Sequence, residues 1–190
     1  MIIDISKYQN KIAWQEITGV DGVYIKATEG VGYIDQQLKS HEAGALFKNI
    51  PIGFYHFATL NSTNIISDST AEAMAFYEAT KGIKTGLPFV LDIEKNVLNL
   101  KPELVLQWIE NFIKVMAEKG INDVVIYSYS PFLNANLPKG HKLGAYKLWI
   151  AAYAPAYQLP NGWNKAWLWQ YSQKGVVNGI TGNVDVSKYV

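Results

Sequence analysis

The sequence predicts an α/β protein folded as an irregular β/α (TIM-like) barrel, with eight strands, a reduced number of helices and last strands that are partly antiparallel. Three observations lead there. Short apolar, β-branched runs alternate with segments of helical period through the first two-thirds of the chain, the rhythm of successive strand–helix–strand units. Eight such strand runs occur in all. The chain has 190 residues, whereas a regular eightfold barrel takes ~250, so several crossover helices have to be missing.

The elements follow in order. Ile2 to Ile5 reads as the first strand and Gly22 to Thr28 as the second. Asp35 to Lys48 reads as a helix, with Leu38, Ala43, Ala45, Leu46 and Phe47 as its apolar or small positions and Pro51 as the break behind it. The third strand is Ile52 to Ala58, followed by a helix that starts near Ser69 or Thr70 and ends around Gly82, a residue free to take the left-handed closing conformation. Strand four, Pro88-Phe89-Val90-Leu91, delivers Asp92 and Glu94. Pro102 then suits the first turn of a helix in which Val105, Trp108, Ile109, Phe112, Val115 and Met116 recur at helical spacing up to Gly120. Asp123 to Ser128 and Lys147 to Tyr153 form strands five and six. Ala166 to Tyr171 and Val184 to Ser187 form the last two, with connections rich in Pro, Gly and Asn that lack helical period. Parallel crossovers normally carry a helix, so loops or hairpins are expected here.

Composition narrows the function classes. With 49% hydrophobic and 17% charged residues the chain can bury a sizeable core, and a single domain over residues 1–190 is expected. No apolar run approaches the ~20 residues of a membrane span. A net charge of +1 offers no basic field for nucleic acid. Zero cysteines exclude disulfides and thiolate chemistry, and three scattered histidines argue against a His-built metal site, so neither metal nor organic cofactor is expected. The start Met1-Ile2-Ile3-Asp4 enters a strand with no signal-peptide pattern. Aromatic content is high, with 6 Trp and 12 Tyr, and polar-tipped rings make platforms for sugars as well as core.

The chemistry concentrates at Leu91-Asp92-Ile93-Glu94, where two carboxylates at i and i+2 end an apolar strand and therefore point the same way. Like charges at the end of a core strand are unfavourable unless one carboxyl is to be held protonated and the other ionised, the division of labour glycoside hydrolysis uses. Other strand ends add Asp4 and Ser6, Lys26 and Glu29, His56, Tyr127, Tyr153, Gln170 and Asp185. In barrels of this kind the site lies at the carboxyl ends of the strands. Lys26 and Glu29 read as a bracing ion pair and His56 as a core residue. Tyr55 and Phe57 share one parity of their strand, and His56 takes the other.

The segments Asp4-Ile5-Ser6-Lys7-Tyr8-Gln9, Ile25 to Gly30, Gly53 to Phe57, Leu91 to Glu94, Leu148 to Tyr153, Trp169 to Ser172 and Val184 to Ser187 occur in an order that resembles glycoside hydrolase family 25, the Chalaropsis-type muramidases of bacterial autolysins and phage endolysins. The resemblance covers essentially the whole chain. It implies a β/α barrel with Glu94 as the acid and Asp4, Asp92 and Asp185 as the other acidic groups. It also implies cleavage of the β-1,4 bond between N-acetylmuramic acid and N-acetylglucosamine in cell-wall peptidoglycan. Tyr55, Tyr127, Trp149, Tyr153, Trp169 and Gln170 are the candidate substrate-binding residues. A chitinase-like hydrolase of other N-acetylated glycans, or a non-catalytic glycan-binding barrel, are the competing readings. Action at the cell wall is expected, with a phage enzyme held in the host cytoplasm favoured over a secreted autolysin, and a wall-binding domain can lie outside this chain. Retention through the substrate's acetamido group, with Asp92 orienting it, is preferred over inversion by water activated at Asp185 or Asp4.

Overall fold

The computed structural model describes residues 1–190. Nine strands form one sheet: β1 (Ile2–Ile5), β2 (Gly22–Glu29), β3 (Tyr33–Ile34), β4 (Ile52–Phe57), β5 (Phe89–Asp92), β6 (Val124–Ser128), β7 (Leu148–Ala151), β8 (Leu168–Gly175) and β9 (Val184–Tyr189). Four α-helices accompany them: α1 (Leu38–Phe47), α2 (Ile65–Thr80), α3 (Pro102–Glu118) and α4 (Ser130–Asn136). The order β1-β9-β8-β7-β6-β5-β4-β2, with β1 also paired to β2, closes the sheet into a barrel of every strand except β3, which hangs on β2 as a hairpin. Pairings from β1 through β2 and β4 to β8 are parallel. Only β9 runs against its barrel neighbours, β8 and β1.

Strand parity divides the apolar residues into two cores. One parity faces outward, where a cluster of 40 buried residues fills the space between barrel and helices. On α3, Val105, Trp108, Ile109, Phe112, Ile113, Val115 and Met116 form the buried stripe, and the Trp108 indole donates to Asp68 Oδ2 of α2 at 2.8 Å, which satisfies its one polar atom. The other parity faces the lumen, where Ile2, Tyr24, Val90, Val125, Trp149 and Leu168 plug the end of the barrel at the strands' N-termini. The Tyr24 and Trp149 rings meet at 4.7 Å. Gly53 is glycine because a Cβ there would lie 2.4 Å from the Tyr24 ring. With this plug closing one end, only the carboxyl end of the lumen is open to substrate.

The structure departs from the sequence expectations in definite places. α2 begins at Ile65, about one turn before Ser69, because Asn64 caps it by accepting the Ser67 N–H at 3.3 Å. α4 follows β6 with Pro131 in its first turn. β8 extends to Gly175 because it forms a hairpin with β9, and two register shifts interrupt that ladder. β5 stops at Asp92, yet the chain stays extended past it: the Ile93 N–H donates to Tyr127 O at 3.0 Å and the Ile93 carbonyl accepts from Ser128 Oγ at 2.6 Å. The β7–β8 crossover, Ala152 to Trp167, has no helix. It is pinned instead by Trp163, whose indole donates to Tyr146 O at 3.1 Å, and by His141, which donates from Nε2 to Asn161 O at 3.0 Å while Nδ1 accepts the Leu143 N–H. No helix is long and apolar enough to cross a membrane.

Candidate active site

Lumen parity continues beyond the apolar plug as a polar layer. Asp4 lies two residues beyond Ile2, Lys26 beyond Tyr24, Asp92 beyond Val90, Tyr127 beyond Val125, and Gln170 beyond Leu168, so these five strands turn from oily to polar toward their carboxyl ends. These residues line a cleft of about 550 Å³ together with Ser6, Tyr8, Tyr55, Phe57, Glu94, Tyr129, Trp149, Ala151, Ala152, Tyr153, Gln173 and Asp185. All four acids of the sequence reading therefore share one cavity.

Asp4 and Asp185 are direct partners on the antiparallel β1–β9 pair, which sets two carboxyls side by side. Gln170 organises this corner. Its Oε1 accepts the hydroxyls of Tyr127 at 2.8 Å and Tyr153 at 2.7 Å, which fixes the orientation of the amide and aims Nε2 at Asp4 Oδ2, 2.9 Å away. Across the cleft, the extended Ile93 carries Glu94 to the same side as Asp92. Asp92 Oδ1 is buried and has no hydrogen-bond partner, an acceptor aimed at nothing the protein supplies.

Burial and crowding push all four carboxyls the same way. Asp4 lies well above the usual carboxylate range, first through burial and then through the charge of Asp185, with the Gln170 amide working against the shift. Asp92 lies well above it too, through burial and then Glu94, with Lys26 opposing. Glu94 is raised by burial and by Asp185, against Lys95 and Lys26. Asp185 is raised by burial, while its bond with Asp4 pulls the other way. Protons are therefore shared within the cluster. The Tyr153 phenol is pushed up to about 12 by burial and by Asp185 and Asp4, so its hydroxyl remains a donor.

Tyr55, Tyr127, Trp149, Tyr153 and Gln170 face the cleft as the sequence suggested. Trp149 is only 2% exposed and gives its indole N–H to Ser187 Oγ at 3.0 Å, which makes it the floor. Tyr153, 51% exposed, has a free ring face at the rim. Trp169 is a correction. It alternates with Gln170 on β8, so its ring points out of the barrel, donates to Ala152 O at 2.8 Å and packs on Tyr157 at 5.2 Å. Lys26 does pair with Glu29, at 2.6 Å, but its ammonium also borders the cleft.

Among the aromatic and polar lining residues, Tyr8, Phe57, Tyr129 and Gln173 were not among the candidates. Phe57 and Tyr129 were readable from the parity of Tyr55 and Tyr127. Gln173 was not, because the register shift after Gln170 brings a residue three positions on to the same side.

His56 carries a separate network. Nδ1 is 2.7 Å from Thr28 Oγ1 and Nε2 is 2.7 Å from Glu72 Oε2, while Glu72 also accepts from the hydroxyl of Thr59 at 2.5 Å. Hydroxyl, imidazole and carboxylate are spaced as in a hydrolytic triad. All three side chains are fully buried, however, and Phe76 and Phe112 cover the ring at 5.5 and 5.2 Å. The network ties β2 and β4 to α2. No group of three or more His, Cys, Asp or Glu side chains is arranged to hold a metal ion.

Comparison with known proteins points to the same architecture. Lysozyme M1 of Streptomyces globisporus is 32% identical over 98% of this chain, and the autolytic lysozyme of Clostridium acetobutylicum is 33% identical over 98%. The chain spans 66% of the first and 55% of the second, less than two thirds of each. The crystal structure of a bacterial lysozyme from Streptomyces coelicolor superposes with a TM-score of 0.86 at 32% identity, covering 98% of this chain and 90% of that one. The sequence model described as Glycosyl hydrolases family 25 matches residues 3–180, a span that runs from the strand carrying Asp4 almost to the one carrying Asp185. By that match the chain belongs to glycosyl hydrolases family 25.

Proposed function

We propose that residues 1–190 form one catalytic domain that hydrolyses the β-1,4 bond between N-acetylmuramic acid and N-acetylglucosamine in cell-wall peptidoglycan. The observation that carries this reading is the convergence of Asp4, Asp92, Glu94 and Asp185 on one cleft, with every carboxyl held above its ordinary range. Family membership and the lysozyme relatives support it.

Glu94 serves as general acid. It lies at the open end of the cleft, where partial burial and the Asp185 charge keep its proton on at a pH where a free glutamate has lost it. The proton goes to the glycosidic oxygen as the bond to the leaving sugar breaks. Asp92, which lines the cleft, accepts the substrate's 2-acetamido N–H, which turns the acetamido carbonyl toward the anomeric carbon and stabilises the charge developing there. Water then opens the cyclic intermediate with Glu94 acting as base, and the anomeric configuration is retained. Tyr55, Tyr127 and Tyr153 hold the sugar ring against the acids, over the Trp149 floor.

Digestion of peptidoglycan followed by borohydride reduction and mass spectrometry tests the bond. Reduced muramic acid ends are expected, and reduced glucosamine ends would name a different enzyme. Clearing of a cell-wall suspension, run beside chitin and with Glu94→Gln as control, tests the substrate and the acid. Proton NMR of the first-formed anomer tests the route, since inversion would assign the water to Asp185 or Asp4.

A further inference from the structure

The rim of the cleft is chemically two-sided. From β6 to β8 it presents Tyr127, Tyr129, Tyr153, Gln170 and Gln173, with no cation among them. From β1 to β5, Lys26 and Phe57 line the cleft and belong to a row, continued beyond the lining by Lys7, Tyr33 and Lys95, in which ammonium groups and ring faces alternate. Lys7 Nζ lies 5.1 Å from the Tyr33 ring and Lys26 Nζ 5.8 Å from the same ring. Lys26 Nζ and Lys95 Nζ each lie 4.8 Å from the Phe57 ring. These separations fall within cation–π range, so three flexible side chains are held in one line by two rings.

Lys26 is neutralised by Glu29 at 2.6 Å. Lys7 and Lys95 form no salt bridge, although each stands beside a residue that lines the cleft, Ser6 or Tyr8 for the one and Glu94 for the other. Two cations without a salt-bridge partner thus sit on one side of a cavity that holds four acids. A neutral glycan has no use for them. A glycan bearing carboxylates would be repelled by the acids unless its substituents lay on the lysine side.

Resting on the function given above, we propose that Lys7 and Lys95 form an anion-reading lip that binds carboxylate substituents of the glycan and so separates acid-bearing strands from neutral ones. The carboxylate has two alternative sources in peptidoglycan: the lactyl group where muramic acid carries no peptide, and the stem peptide where one is attached, because the peptide's amide bond uses up the lactyl carboxyl. Both present the same chemistry to an ammonium group.

Equilibrium binding tests this, in a Glu94→Gln background so that bound glycan persists. The ligands are peptide-free glycan strands, peptide-bearing strands and neutral chitooligosaccharides of matched length. Lys7→Gln/Lys95→Gln is expected to weaken binding of acid-bearing strands ~10-fold and to flatten its salt dependence, the sum of two exposed charge contacts. Chitooligosaccharide affinity should move less than about two-fold, Lys7→Arg/Lys95→Arg should restore wild-type binding, and thermal unfolding should be unchanged. Loss on peptide-free strands assigns the lactyl group, and loss confined to peptide-bearing strands assigns the stem. Unchanged affinity for both acid-bearing strands, or an equal loss on the neutral ligand, overturns the lip. Hydrolysis is a separate readout: an enzyme that discriminates acid-bearing strands but leaves walls intact keeps the lip and loses the proposed reaction.

Discussion

Replacing Asp185 by Asn should make the protein more stable at neutral pH, which is unusual for a polar residue of a functional cleft. Asp4 and Asp185 are register partners on an antiparallel pair, so their Cα atoms are about 5 Å apart and their carboxyls share the same side. Two charges at about 5 Å with an effective dielectric constant near 20 repel by roughly 3 kcal/mol. The hydrogen bond that Asp185 makes with Asp4, lost in the variant, offsets about 1 kcal/mol of that, while the Gln170 amide on Asp4 is present in both proteins and cancels. A net gain of about 2 kcal/mol is expected, or roughly 4–8 °C in melting temperature for a chain of this size. The pH dependence fixes the cause. Both carboxyls are raised in the folded state, so the folded protein binds more protons than the unfolded one between the two sets of values, and wild-type stability falls as pH rises through that window. The advantage of Asp185→Asn should be absent near pH 3 and grow as the pH rises above about 4, where free carboxyls ionise. Asp4→Asn should give a similar gain, and the double variant little more than either, because removing one charge already ends the repulsion. Calorimetric scans at pH 3, 5 and 7 decide the matter. A melting temperature at pH 7 equal to or below wild type, or a gain that persists at pH 3, would refute the electrostatic reasoning.

Glu94→Gln should reduce wall-clearing activity by about 10²- to 10⁴-fold, the usual contribution of a general acid, without lowering the melting temperature. An active Gln variant would move the acid elsewhere. Lys95→Gln removes the foremost charge opposing the Glu94 shift, so the alkaline limb of the kcat profile should move to higher pH, and a limb that stays or moves down contradicts the assignment. His56→Ala strips the partner from fully buried Glu72 and opens a void between Phe76 and Phe112. It should cost about 3–5 kcal/mol in denaturant unfolding while the fraction that remains folded keeps the wild-type pH profile. A changed profile would bring His56 into the chemistry.

Much of this molecule was legible because strand periodicity and strand-end chemistry are both local signals. The alternation Val90, Asp92, then Glu94 was enough to place two acids on one side, and Tyr55 against His56 separated cleft from core. The cap at Asn64 was also local, but it lay inside a polar run that reads equally well as loop. Trp169 was misplaced for a different reason. A Trp-Gln-Tyr run is apolar enough on both parities that only the observed pairing tells which ring faces in, and Gln170 takes that direction. Gln173 and the lysine–aromatic row depend on a register shift and on contacts between residues far apart in the chain, and no window of sequence contains either.

The antiparallel seam between β1 and β9 has a consequence for how the molecule comes into being. The amide of Gln170 reaches Asp4 across 166 residues of chain, and Asp185 arrives later still. Until the final hairpin docks, a growing polypeptide has an open sheet with a raw edge, and Asp4 lacks both Gln170 and Asp185 beside it. On the function proposed above, competence would arrive only with the last strand, and a shortened product ending before β9 would lack it.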